Sequence, residues 1–146
     1  MYSKAKDLYP TELNNSSINY SCTNTEVNNF TSTSDPNLWG PCLWFTLHNA
    51  SIRYAKNPSD ICKKYMKGFI IGLPLIIPCE LCADHARAFI ESRDLDETVS
   101  TRDFLFKFFV DFHNEVNVRY NKPKMDYQTA FELYSGKIKI QPMKYK

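Results

Sequence analysis

The chain has 146 residues, enough for one domain with a sizeable core, and its formal net charge of +2 gives no electrostatic case for binding nucleic acid. Aromatic residues make up 14%, which serves a packed core and also suits a flat aromatic ligand. The longest apolar run, Phe69 to Ile77, contains Gly72 and Pro74 and is too short to span a bilayer, and Met1 to Pro10 lacks the apolar stretch of a secretory signal, so no membrane insertion or export is expected.

Residues 1–35 are rich in Asn, Ser and Thr without apolar periodicity, and are expected to form a flexible arm carrying Cys22. The folded domain is expected over 36–136. Asp35-Pro36 resembles an N-cap followed by Pro at the first helical position, opening a helix over about 37–56 that stops before Pro58. Ser59 or Asp60 caps a second helix to about 72, disrupted by Gly72 and Pro74. Pro78 starts a third, over about 79–93. Ser100 to Asp103 resembles a capping box and starts a fourth helix to about 121. A short fifth, over about 126–135, ends at Gly136, and residues 137–146 form a basic tail. No stretch alternates like a strand. In the fourth helix Phe104, Phe108 and Phe112, with Leu105, Phe109 and Val116, predict a wide buried face. The expected class is all-α, a small helical bundle.

Five cysteines, Cys22, Cys42, Cys62, Cys79 and Cys82, are too few and odd in number for a secreted disulfide scaffold. The pair in P-C-E-L-C-A-D-H, residues 78–85, opens a helix, whose unpaired N–H groups and partial positive charge favour thiolate. Sulfurs at i and i+3 can close a small, reducible disulfide ring. A zinc site using Cys79, Cys82, His85 and a fourth ligand such as Cys62 is the metal alternative, and two reduced, buried cysteines the plainest one.

Two polar stripes accompany the pair. Gly40, Trp44 and His48 recur every four residues on one helical face, where the glycine admits a close approach, the indole a stack and the imidazole a hydrogen bond; a core Trp and a satisfied core His would read the same way. His113, Asn114 and Asn117, with Tyr120 one turn on, interrupt an apolar helix, and Lys122 follows as a point charge for a phosphate; an exposed helix end is the alternative.

Three blocks, W-G-P-C-L-W-F-T-L-H at 39–48, P-C-E-L-C-A-D-H at 78–85 and F-H-N-E-V-N-V-R-Y-N-K-P at 112–123, together resemble the Erv/ALR family of FAD-dependent sulfhydryl oxidases, most of all the short forms encoded by large cytoplasmic DNA viruses. The resemblance implies a four-helix bundle cradling FAD, a short fifth helix packed across it, and a homodimer. It implies that Cys82 is the flavin-proximal sulfur and that Cys79 exchanges with incoming thiols. Gly40, Trp44, His48, His113, Asn114, Val116, Asn117 and Lys122 would line the FAD site, with His85 at a position that varies. Electrons would pass from substrate dithiols to O₂, releasing hydrogen peroxide. Substrates would be thiol-bearing proteins, such as a thioredoxin-like or small Cys-pair relay protein, in the host cytoplasm or virion if the chain is viral. A zinc-binding interaction module and a non-catalytic FAD-binding dimerisation protein are the rival readings.

The chain also departs from the family pattern. Val110 and Tyr127 stand where many members carry a structural disulfide, so packing must replace a bridge typically worth roughly 2–4 kcal/mol. Tyr134 stands where a Trp often packs near the flavin. The arm has Cys22 alone, which cannot form a shuttle disulfide within it and is expected to be intermolecular or incidental.

Overall fold

The structure, a computed structural model, describes residues 34–136. Cys22 and most of the expected arm, and all of the expected tail, lie outside those residues. Six helical segments follow one another: α1 (Pro36–Arg53), α2 (Asp60–Ile76), α3 (Glu80–Glu91), α4 (Leu95–Thr98), α5 (Arg102–Arg119) and α6 (Tyr127–Tyr134). No strand occurs among the described residues.

Side-chain caps set most of the boundaries. The Asp35 carboxylate accepts from the Asn37 amide, with Pro36 at the first helical position. Ser59 caps α2 and Asp126 caps α6. For α5 the cap is Thr101, whose Oγ1 accepts from the Phe104 amide at 3.2 Å, whereas the Ser100 hydroxyl donates to the Glu97 carbonyl instead. Ser100 is therefore taken up by the preceding turn, the cap shifts by one residue, and Phe104 at the third helical position cannot complete a box. That turn, α4, was not foreseen; at four residues it has no period to read, although Asp94 followed by Glu97 is a short capping signal.

α2 does not break at Gly72 but runs to Ile76 with Pro74 inside it. A helix-interior proline costs roughly 3 kcal/mol. Ile70, Ile71 and Leu73 are buried, at about 1.5–3 kcal/mol each, so packing outweighs the local penalty.

α1 packs chiefly on α5 and α2 on α3; α6 lies against both α1 and α5, and α4 links α2 to α5. The core contains Leu47, Leu73, Ile90, Leu105 and Phe109, with Phe89 stacked on Phe112 at 4.9 Å. Phe104, expected inside, is 43% exposed. The buried face of α5 is instead centred on Leu105, Phe109 and Phe112, with Phe106 and Val110 turned toward α6.

The two positions that lack the family bridge take different roles. Val110 packs with Phe106 and Ala130, joining α5 to α6. The Tyr127 hydroxyl donates to Asp111 at 2.6 Å, which pushes its pKa up to about 12.

Candidate active site

Cys79 is the N-cap of α3. Its backbone is extended, and its Sγ accepts from the Cys82 amide at 3.2 Å. The two cysteines are joined as a disulfide, with Cα atoms 5.1 Å apart. Both are half-buried at the N-terminal end of α3, where the helix carries a partial positive charge. When the bond is reduced, that positive end favours the thiolate form. The zinc reading finds no support here: the two sulfurs bond each other, and among the described residues no three His, Cys, Asp or Glu side chains converge on a common point. Cys42 and Cys62 are exposed and form no disulfide among the described residues.

Cys82 lies on the wall of a cleft of about 550 Å³; Cys79 does not. Ligand sites typically measure about 300–1,000 Å³. α1 contributes Trp39, Gly40 and Trp44; the start of α3 contributes Cys82 and His85; α5 contributes Phe112, His113, Val116 and Asn117. Arg119, Tyr120 and Lys122 close one side, and Leu133 and Tyr134 of α6 close another.

Ring planes dominate the walls. Trp44 stacks on His113 with centroids 4.2 Å apart and planes within 5°. The edge of Phe112 meets Trp44 at 5.1 Å. Behind them His48 stacks on Tyr134 at 4.2 Å and brings its Nε2 within 3.1 Å of His113 Nδ1. Burial and the charge of His113 lower the His48 pKa to about 3. Burial and Lys122 lower that of His113 to about 4. Both imidazoles are neutral at physiological pH.

Lys122 is placed by the end of α5. Asn121 adopts φ 54°, the left-handed region that Asn tolerates and β-branched residues avoid. The Lys122 amide then donates to the Asn117 carbonyl at 2.8 Å and the Asn121 amide to the Val118 carbonyl at 3.1 Å, a Schellman closure. It turns the chain so that Lys122 reaches the cleft, where its ammonium forms no ion pair among the described residues.

The residues fit a large, flat, anionic ligand. Gly40 is buried on the cleft wall, and a Cβ built on it meets no atom within 4 Å, so any larger side chain would take cleft volume. Aromatic planes offer stacking, and Lys122 offers a charge for phosphate.

A model of the Erv1/Alr family matches residues 41–136. The chain belongs to this family. A protein of Invertebrate iridescent virus 3, described as a FAD-linked sulfhydryl oxidase, is 45% identical over 100 residues, 68% of this chain and 68% of the relative. A second such protein, from Invertebrate iridescent virus 6, is 38% identical over 101 residues, 66% of this chain and 91% of the relative. The crystal structure of the FAD-binding domain of Erv1 from Saccharomyces cerevisiae matches with a TM-score of 0.64 at 28% identity, covering 72% of this chain and 98% of that one.

Within this Erv1/Alr domain the cleft brings together Gly40, Trp44, Cys82, His85, His113, Val116, Asn117, Tyr120 and Lys122. His48, Asn114 and Cys79 stand outside its lining. His48 lies beneath His113, and Asn114 engages the backbone of Met125. Sequence reasoning missed Trp39, Arg119 and Leu133 as lining residues. Trp39 sits one position outside the four-residue stripe, and in α6 the resemblance pointed to Tyr134 but no signal pointed to Leu133.

Proposed function

We propose that this chain is an FAD-dependent thiol oxidase that forms disulfide bonds in protein substrates and passes the electrons to O₂, with hydrogen peroxide as product. The observation that carries this reading is the Cys79–Cys82 disulfide at the start of α3, with Cys82 on the wall of a flat-ligand cleft. The family membership and the sulfhydryl oxidases among the relatives support it.

Bound FAD supplies two-electron acceptance from thiolate sulfur and reoxidation by O₂. The rest is the work of the chain. A substrate thiolate attacks Cys79 Sγ, a bond forms between them, and the Cys79–Cys82 bond breaks. Cys82 leaves as a thiolate, favoured by the partial positive charge at the start of α3. The second substrate thiolate attacks the substrate sulfur of the mixed disulfide and releases Cys79 as a thiolate. The substrate is oxidised by two electrons and the cysteine pair is reduced by two. Cys82 then faces the cofactor.

Gly40 would admit the ring system, Trp44, His113 and Val116 would offer it apolar and aromatic surface, Asn117, Tyr120 and His85 would contribute polar edges, and Lys122 would offer a charge for phosphate. The expected homodimer would use exposed apolar residues, Leu38 and Phe45 of α1 and Ile61 and Phe69 of α2. The viral relatives fit a viral source, for which the proposed setting is host cytoplasm or virion; a thioredoxin-like or Cys-pair relay protein is the proposed type of substrate. No helix among the described residues is long and apolar enough to cross a membrane.

The test is the visible spectrum and oxygen uptake of purified protein with a dithiol. A yellow protein that consumes oxygen is expected. Cys82→Ser should keep the colour and lose turnover. A colourless protein that takes up no flavin would overturn the reading.

A further inference from the structure

His48 is 1% exposed, and its Nδ1 is buried with no hydrogen-bond partner among the described residues. Its Nε2 lies 3.1 Å from Nδ1 of His113. A hydrogen bond at this distance needs one hydrogen between the two nitrogens, and each neutral imidazole has a single ring hydrogen to supply or withhold. If it belonged to His113 Nδ1, neutral His48 would carry its own hydrogen on Nδ1, leaving a buried N–H with no acceptor. If it belongs to His48 Nε2, the Nδ1 of His48 is a bare acceptor. Buried donors without partners are the rarer and costlier defect.

We propose that His48 is a positioning residue whose buried Nε2–H locks His113 in the tautomer with hydrogen on Nε2, so that the cleft offers its ligand a hydrogen-bond donor at that edge. His113 lines the cleft and is held flat against Trp44, which fixes the ring plane while His48 fixes the proton. Tyr134, stacked on His48, holds the donor ring in place. The ligand atom selected is an acceptor, such as a bare ring nitrogen or a sugar or carbonyl oxygen. Only the identity of that ligand rests on the flavin reading; the tautomer does not.

The experiment is a long-range ¹H–¹⁵N correlation of the histidine rings in ¹⁵N-labelled protein, as purified, at pH 7.5, together with FAD titration of the flavin-depleted protein. Expected are a pyridine-type Nδ1 and a pyrrole-type Nε2 in both His48 and His113. A pyrrole-type Nδ1 in His113 overturns the proposal, whether or not the protein binds flavin. In His48→Leu the His113 tautomers should mix and the FAD Kd should rise about three- to tenfold, the span of one ordinary hydrogen bond. His48→Gln, whose amide can donate to the same Nδ1, should restore the tautomer and most of the affinity. Equal loss in both variants with an unchanged His113 tautomer would make His48 a packing residue and overturn the proposal. Failure to bind FAD at all, with the tautomer as expected, would sink the flavin reading alone.

Discussion

The carboxamide of Asn114 holds the backbone of Met125 by two bonds of 2.8 Å, its Nδ2 donating to the carbonyl and its Oδ1 accepting from the amide. Asn114 sits on α5 and Met125 just before α6, so this grip closes the 120–126 loop whose turn delivers Lys122 to the cleft. Asn114→Ala leaves both Met125 groups without their partner and should cost about 1–3 kcal/mol. The expected outcome is a melting temperature several degrees lower and a weaker FAD affinity, with the Cys79–Cys82 pair still reducible by DTT. Thermal unfolding and flavin titration on the same sample check it. An unchanged flavin Kd would mean that the loop keeps its place without the clamp.

Asn121 gives a sharper test of the same loop. Its positive φ suits glycine better and a β-branched residue worst. Asn121→Gly should leave stability within a few tenths of a kcal/mol, whereas Asn121→Val should lose about 1–2 kcal/mol from left-handed strain. Because the strain would open the Schellman closure, Asn121→Val should also weaken FAD binding. Denaturant melts of the two variants check the order; an equal effect of both would argue against a rigid turn.

Much of this architecture was legible because local chemistry writes it. Asp35-Pro36, Ser59 and Gly136 mark boundaries through side chains or φ preferences that act within a few residues. The Cys79–Cys82 spacing and the Gly40–Trp44 and His113–Asn117 stripes were likewise visible as helical periods, and Lys122 as a charge just after them. What was not legible is set by packing at long range. α2 continues through Pro74 because α3 buries it, Phe104 is exposed because α6 meets the Phe106 side of α5, and Leu133 enters the cleft because α6 lies across α1. His48 looked like a lining residue for the same reason: its helical face was correct, but its depth depends on Tyr134 and His113, distant in sequence.

The histidine pair sets an acid limit. His48 and His113 have folded pKa values of about 3 and about 4, below the ordinary value of 6.5. Above pH 6.5 both rings are neutral whether folded or unfolded, and they impose no pH dependence. Below it the unfolded chain takes up protons that the folded pair refuses, so stability falls as pH falls, until the folded rings also protonate near pH 4 to 3. The melting temperature should therefore be flat from about pH 7 to 8 and decline between pH 6 and 4. His113→Phe, which stacks on Trp44 without titrating, should flatten part of that decline. A melting temperature that rises on acidification over this window would contradict the neutral pair.

Gly40 separates the demands of the helix from those of the ligand. It lies within α1, where glycine is less favourable than alanine by about 0.5–1 kcal/mol. Its φ is not positive, and a Cβ there meets no described atom within 4 Å beyond its own turn and chain neighbours, but Pro41 follows within the helix and its ring disfavours a Cβ on the residue before it. The gain in helix propensity and the crowding by proline oppose each other, so Gly40→Ala should shift the melting temperature of the flavin-free protein by no more than a few degrees. The same methyl projects into the volume that the flat ligand needs, so FAD affinity should fall, and Gly40→Leu should abolish it while the helix still forms. Melting curves with and without added FAD separate the two effects, since the stabilisation by ligand depends on the ratio of its concentration to Kd. If Gly40→Leu bound FAD as the unmodified protein does, the ring would have to lie elsewhere in the cleft, away from α1.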